Sequence, residues 1–398
     1  MRALLAAALA ALAVPAPAAP APSPGGLPPL AGETIAVRQL PGPLAADPAS
    51  PAWDALQATR VLVAPQRTIR LNDRKANAAL ATAPLRELTV RAATDGRDLV
   101  VVVDWNDASE DRAAPDATDG YGDGVALQLP FRFGAGTRLP YVGMGDEQQP
   151  VAVFLLRAGP RGSEVRQARG AGFGSTVRAD LGPVQAAMRY DPQRLGWRAV
   201  FVRPLVAGGL DLRRGLVPLA LAAWDGGRAE RGGNKALSGW KFLRLDGFPL
   251  DEAYLAEQAW GRGADLRGDV THGQALFEEG CTICHRAGPQ RAAAAGLAPD
   301  LSEIGVIATP GYLRASLLAP SEVIVPNPNP RQHQDRSKPL AVGAAWPVDD
   351  GFVWYAVEPD GRKTSSMPDS SALPPQDLAD LVSYLMTLGA MPPAGRSP

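Results

Sequence analysis

The chain contains only two cysteines, and they stand two residues apart with a histidine directly behind them: Cys281-Thr282-Ile283-Cys284-His285. Few short patterns constrain a fold as strongly. Two thiols at this spacing reach both vinyl groups of a haem, and the histidine that follows sets an imidazole on the iron from the same turn of chain. This is the attachment pattern of a covalent c-type haem. The rival uses of such a pair lack their partners. Structural zinc needs further ligands, and the chain offers no other cysteine and only two other histidines, His272 and His333. A thioredoxin-like thiol site needs a βαβ setting, which the flanking sequence does not supply.

The surroundings of the motif agree with it. Gly273-Gln274-Ala275-Leu276-Phe277 lies just ahead, and its apolar members can pack on a terminal helix near Leu381 and Tyr384. In that helix Leu378, Leu381, Val382, Leu385 and Leu388 recur at i, i+3, i+4 and i+7, Pro374-Pro375 opens it and Gly389 ends it. Together with Pro299-Asp300-Leu301 and Pro310-Gly311-Tyr312-Leu313, the stretch from Asp269 to Leu388 resembles small monohaem cytochrome c domains. The resemblance implies an all-α domain over 269–390, with the sixth iron ligand a methionine in the loop before the last helix. Met367-Pro368 holds that place, and a thioether favours the ferrous state and a raised potential. His333, in the polar run Arg331-Gln332-His333-Gln334-Asp335, is the rival ligand. Met386 reads as a core residue, Met391 as a tail residue and His272 as a surface residue of the preceding helix.

At 398 residues the chain has room for two or three domains. Met1-Arg2, an Ala/Leu run to Val14 and then Ala16-Pro17-Ala18 form the pattern of a secretory signal peptide over residues 1–18, and export would place the protein in the periplasm. The apolar run is too short for a spanning helix, so no stable membrane insertion is expected. Residues 19–33 read as a flexible Pro/Ala/Gly leader. Over 34–250 short runs rich in Val, Leu and aromatics recur between turn residues: Leu88 to Ala92, Leu99 to Trp105, Gly124 to Leu129, Val151 to Leu156, Trp197 to Val202, Val217 to Trp224 and Trp240 to Leu245. Asp95-Gly96 marks a hairpin. With no helical periodicity between the runs, an antiparallel β-sandwich is expected. The fold class is therefore multidomain, a β-sandwich followed by an all-α domain, with a linker over 251–268. Pro and Asn crowd 326–330, which reads as a loop. Net charge is −1 with 20% charged residues, which leaves no basic field for nucleic acid. Positive charge is carried by Arg, with Lys only at 75, 235, 241, 338 and 363.

Particular segments of the β-region say more. Trp53-Asp54, the run from Asp98 through Trp105 to Asp107, the run from Asp123 to Pro130, and Met144-Gly145-Asp146 leading into Pro150-Val151-Ala152-Val153-Phe154 occur in that order. From Pro51 to Leu245 the chain thereby resembles the haem b-binding γ subunits of ethylbenzene dehydrogenase, dimethylsulfide dehydrogenase, selenate reductase and chlorate reductase. The resemblance implies a non-covalent haem b held by a Met and a Lys. Met144, directly before Gly145-Asp146, and Lys235, ahead of Ser238-Gly239-Trp240, match those positions, with Lys241 as the fallback. An amine ligates iron only when neutral, and lowering its pKa from about 10.4 to below 7 costs about 4–5 kcal/mol, so such a lysine must be deeply buried.

The function so implied is a non-catalytic dihaem subunit, carrying haem c and haem b. It would relay electrons between a molybdopterin catalytic subunit with its iron–sulfur subunit and carriers such as soluble c-type cytochromes. Those γ subunits are generally single-domain, whereas a cytochrome c domain follows here. A sugar-binding β-sandwich fused to a cytochrome is the alternative, since sandwiches host many functions. A peroxidase-like enzyme would need distal acid–base groups that three histidines can hardly supply.

Overall fold

The structure, a computed structural model, describes residues 34–69, 71, 73–114, 120–254, 258, 268–288, 298–324 and 355–389. The signal-peptide and leader readings, the 326–330 loop, His333, Met391 and most of the 251–268 linker lie outside the described residues.

The N-terminal part is built from β1 (Thr34–Gln39), β2 (Thr59–Pro65), β3 (Arg86–Thr94), β4 (Asp98–Asn106), β5 (Gly124–Pro130), β6 (Val151–Gly159), β7 (Gly162–Gly170), β8 (Val177–Arg178), β9 (Gln185–Asp191), β10 (Gly196–Pro204), β11 (Val206–Ala207), β12 (Leu210–Asp211), β13 (Leu216–Trp224), β14 (Ala236–Leu237) and β15 (Lys241–Leu245). Thirteen of these form one sheet in the order β8-β7-β6-β5-β13-β14-β2-β3-β4-β10-β9, with β1 and β15 bridging β3 to β13. Leu127 and Leu129 of β5, Phe154 of β6, Leu219 and Leu221 of β13, Leu99 and Val101 of β4 and Phe201 of β10 share one buried core. The opposite face of β4 and β10 is covered as well: Val100, Val102, Val200 and Val202 pack on Trp53 and Leu56. Cover on both faces explains why Val100–Val103 reads as an unbroken apolar run rather than an alternation. Each fully buried side chain of this kind contributes roughly 1.5–3 kcal/mol.

The expected Asp95-Gly96 turn joins β3 to β4. Gly96 takes φ +91°, and the Asp95 carboxylate accepts from the amides of Arg97 and Asp98 at 2.8 and 2.7 Å, the chemistry of a three-residue hairpin loop. Two expectations for this region are corrected. First, the sheet is antiparallel except at β1, which runs parallel to both β15 and β3. Its partners are distant in sequence, so no hairpin fixes its direction. Second, a helix does interrupt the strands: α1 (Arg74–Thr82), capped by the Asp73 carboxylate on the Ala76 amide. It buries only Ala76 and Leu80, too few to print a period.

Beyond residue 268 follow α2 (Val270–Leu276), α3 (Ile304–Ile307), α4 (Pro310–Leu318) and α5 (Pro375–Thr387), with β16 (Tyr355–Val357) and β17 (Lys363–Ser365) between α4 and α5. The all-α expectation is corrected by that hairpin. Its turn is closed by Glu358 and Arg362 backbone pairing at 2.8 Å, with Gly361 at φ +82°, so Asp360-Gly361 was the local signal. The crossing of α2 and α5 is close: a Cβ on Gly273 would stand 2.0 Å from the Asp380 carbonyl oxygen, so only glycine fits. Phe277, fully buried, meets Tyr384 at 5.4 Å between ring centroids, as the apolar pattern ahead of the cysteines suggested.

The two parts touch through defined contacts. The Gly239 amide donates to the Val306 carbonyl at 2.9 Å, and Arg67 pairs with Glu303 while also donating to the carbonyls of Leu80 and Ala83. No described helix is long and apolar enough to cross a membrane.

Candidate functional site

The end of α2 widens into a π-type turn over Phe277–Cys281, and the next turn carries the motif. The amides of Cys284 and His285 both donate to the Cys281 carbonyl, at 3.1 and 2.8 Å. Both thiols and the imidazole are thereby set in one turn of backbone. The cysteines are unpaired, and burial, with Cys284 alongside, pushes the Cys281 thiol up to about 11. His285 Nδ1 lies 2.9 Å from the Pro299 carbonyl oxygen. A carbonyl can only accept, so Nδ1 carries the proton and Nε2 is left with a free lone pair, the form a metal takes. Burial also holds the imidazole below its usual pKa, which keeps it neutral at pH 7. The Pro299 segment is held in turn, with Leu301 N–H on the Arg286 carbonyl at 2.8 Å and the Ser302 hydroxyl accepting from the Gly288 amide at 2.9 Å. This donor set fits a covalently attached haem with a histidine ligand.

Met367 is half-buried in the loop between β17 and α5, its amide on the Ser365 hydroxyl at 3.1 Å. That loop is tied to α4: the Ser370 amide donates to the Leu317 carbonyl at 2.9 Å, and the Ser365 amide to the Ser321 hydroxyl at 3.1 Å. Met386 is half-buried on α5. His272 is exposed on α2, with Nδ1 2.7 Å from a carboxylate oxygen of the buried Asp380.

In the β-domain Met144 has φ +77°, a left-handed conformation that is uncommon for a side chain of this size. The turn around it is firmly held. Arg138 grips Asp146 with two bonds of 3.0 Å, Asp146 accepts from the Tyr141 and Gln149 amides, and the Met144 carbonyl accepts from the Gly172 amide at 2.9 Å. Met144 Sδ accepts from the Thr176 hydroxyl at 3.7 Å. Lys235 is 3% exposed. Its Nζ lies 5.1 Å from the Phe173 ring centroid and 5.4 Å from that of Trp224. No carboxylate among the described residues pairs with it, and burial alone pushes the amine down to about 8. The 171–176 loop therefore joins the two positions, touching Met144 through Gly172 and Thr176 and Lys235 through Phe173. Sequence reading missed Phe173, which has no local signal. Lys241 is only half-buried, at the start of β15. An amine buried without a counter-ion among the described residues, and a thioether held against the same 171–176 loop, fit a ligand pair for a non-covalent haem iron.

Comparison with known proteins matches residues 270–389 to the cytochrome c family. The chain is similar to the γ subunit of dimethylsulfide dehydrogenase from Rhodovulum sulfidophilum, 28% identical over 41% of this chain and 62% of that one. It is also similar to the γ subunit of chlorate reductase from Ideonella dechloratans, 29% identical over 55% of this chain and 88% of that one. A third relative, named as a respiratory nitrate reductase haem subunit from Haloferax mediterranei, is 27% identical over 48% of this chain and 66% of its own length. The first and third matches thus span less than two thirds of those relatives. A family 9 carbohydrate-binding module from Caldicellulosiruptor kristjanssonii, solved with glucose, aligns over 55% of this chain and 98% of its own at 10% identity, with a TM-score of only 0.29. The chain is a homologue of the γ and haem subunits of these dehydrogenases and reductases, with a cytochrome c domain at its C-terminal end.

Proposed function

We propose that the chain is an exported dihaem electron-transfer subunit, with a covalent haem c on Cys281 and Cys284, ligated by His285 and Met367, and a non-covalent haem b ligated by Met144 and Lys235. Its role is to relay electrons between a molybdopterin catalytic subunit with its iron–sulfur subunit and acceptors or donors such as soluble c-type cytochromes, without substrate chemistry of its own. Lys235 carries the second-haem reading: an enclosed amine with no carboxylate partner among the described residues is costly, and burial lowers its pKa to about 8, most of the way to a neutral ligand. Bound haem would supply one-electron chemistry, and with two of these side chains ligating each iron no open site would remain for oxygen or peroxide.

The sugar-binding alternative finds little support, because the tryptophans of the β-domain, Trp53, Trp105, Trp197, Trp224 and Trp240, are all buried and none offers an exposed stacking platform. A pyridine haemochrome spectrum with acid–acetone extraction separates the readings. Equal amounts of extractable haem b and retained haem c are expected, and a protein with haem c alone would leave the sugar-binding reading in its place. Mature protein recovered from a periplasmic fraction should begin after Ala18; an intact Met1 start would count against export and the periplasmic location.

A further inference from the structure

The turn that presents Met144 and the loop that presents Met367 are both attached to the same helix. Tyr141, three residues before Met144 and hydrogen-bonded through its carbonyl to the Gly145 amide at 2.8 Å, meets Tyr312 of α4 with 6.1 Å between ring centroids. At its far end α4 holds the Met367 loop through the Leu317 carbonyl, and Ser321 just beyond it takes the Ser365 amide. Around the tyrosine pair the two domains are separated by a cavity of about 490 Å³, lined among others by Val142, Trp240, Gln258, Thr309 and Arg314. Within that gap the rings form a direct side-chain crossing.

We infer that the Tyr141–Tyr312 contact is the bridge through which the two iron sites communicate, with α4 as the strut that carries it to the Met367 loop. The inference rests on the two-haem reading above. Aromatic rings at this separation are in their preferred attractive range, whereas a void forfeits the packing contacts that couple one side to the other. With haems held by His285 and Met367 and by Met144 and Lys235, the exchange would be a single electron, one centre being oxidised as the other is reduced, with no bond made and no proton moved. Both phenols stay protonated and are not themselves oxidised. Burial raises both hydroxyls, that of Tyr312 to about 12, so phenolate is out of reach at neutral pH. Tyr312 is a positioning residue and is not itself a proposed iron ligand.

The test uses the full-length holoprotein, photoreduced by a flash, with the b and c absorbance bands followed separately. Tyr312→Phe keeps the ring and should leave the exchange rate unchanged; Tyr312→Leu should slow it severalfold with both resting spectra intact. Glu303→Gln, which removes the ion pair with Arg67 away from the rings, and Glu322→Gln, which removes the ion pair with Arg138 at 3.7 Å in the same gap, should each leave the rate near that of the parent. Limited proteolysis and near-ultraviolet dichroism of the tyrosines, read on the same variants, report docking independently of electron flow. An unchanged rate in Tyr312→Leu overturns the bridge, and so does equal slowing in Tyr312→Leu and either glutamine variant, which would make the contact mere docking. A haemochrome without haem b in the parent protein fails the underlying two-haem reading instead.

Discussion

The two candidate sites are built in opposite ways. Around Cys281 the anchoring groups lie within twenty residues of chain: two thiols, an imidazole and the Pro299 carbonyl that fixes its tautomer, with only the proposed second ligand, Met367, drawn from a distant loop. Around Lys235 nothing is local. Met144, Phe173, Trp224 and Lys235 come from four separate stretches, and the site exists only once the sheet has closed. A covalent anchor lets a short motif define its own pocket, whereas a non-covalent one requires the fold to bury an amine and withhold a counter-ion. The first design tolerates a modest surrounding domain; the second sets fold stability against an enclosed charge that the proposed ligand would relieve at neutral pH.

Removing the anchor should have the largest effect. The double change Cys281→Ala, Cys284→Ala is expected to abolish covalent haem entirely while the β-domain still folds, read as loss of the haem-stained band on a denaturing gel; an undiminished band would place the attachment elsewhere. Lys235 tests the other design. In the holoprotein, Lys235→Leu, which offers no ligand atom, should convert a low-spin haem b spectrum to high-spin by loss of the amine ligand, whereas Lys241→Leu should not. In the apo full chain the sign reverses. The fall of the amine from its ordinary 10.5 to about 8 corresponds to roughly 3 kcal/mol of destabilisation at pH 7. Lys235→Leu should therefore stabilise the apo protein by about a kcal/mol or more. Because the unfolded chain binds the proton more tightly, parent stability should rise with pH between about 8 and 10.5, and this rising limb should vanish in the variant. A flat parent profile would mean that Lys235 is not enclosed as described.

Legibility followed the same division. The motif, the last helix and the main strands could be read because each writes a local pattern: a fixed spacing, a 3.6-residue period or a dense β-branched run. Strands β7 and β9 could not, since Ser163-Glu164-Val165-Arg166-Gln167 and Gln185-Ala186-Ala187 are exposed or half-buried and leave little apolar signature. The parallel placement of β1 and the approach of Phe173 to Lys235 depend on contacts between distant stretches, which no window of sequence contains. Met144 was singled out by resemblance to a family, and its left-handed backbone became visible only in the structure.

The Met367 prediction carries a smaller effect on the covalent site. Met367→Ala should leave haem c attached and remove the sulfur-to-iron band in the red and near-infrared, with a lowered potential. Persistence of that band would assign the ligand to another methionine.

The smallest effect concerns how α2 is stapled to α5, beside the anchor. His272 is raised above its usual pKa chiefly by the hydrogen bond to Asp380. Burial pushes the Asp380 carboxyl up, but the bonds from His272, the Asp269 amide and Gln376 outweigh it and hold the group below its ordinary value. Facing the pair are also Asp377 and Asp269, both of which favour the charged imidazole. The signs define a window. The histidine's contribution is fully present below its ordinary 6.5 and is lost as pH rises through its raised folded value; the carboxylate's is present above its ordinary 3.8 and is lost as pH falls through its lowered one. His272→Ala should therefore lower the melting temperature most between those two pH values and least at alkaline pH. His272→Gln, which retains a donor without a titrating group, should remove the pH dependence and keep part of the stability. A melting-temperature difference that does not narrow above neutral pH would show that the bond is made by the neutral imidazole, and the staple would then be an ordinary hydrogen bond rather than an ion pair.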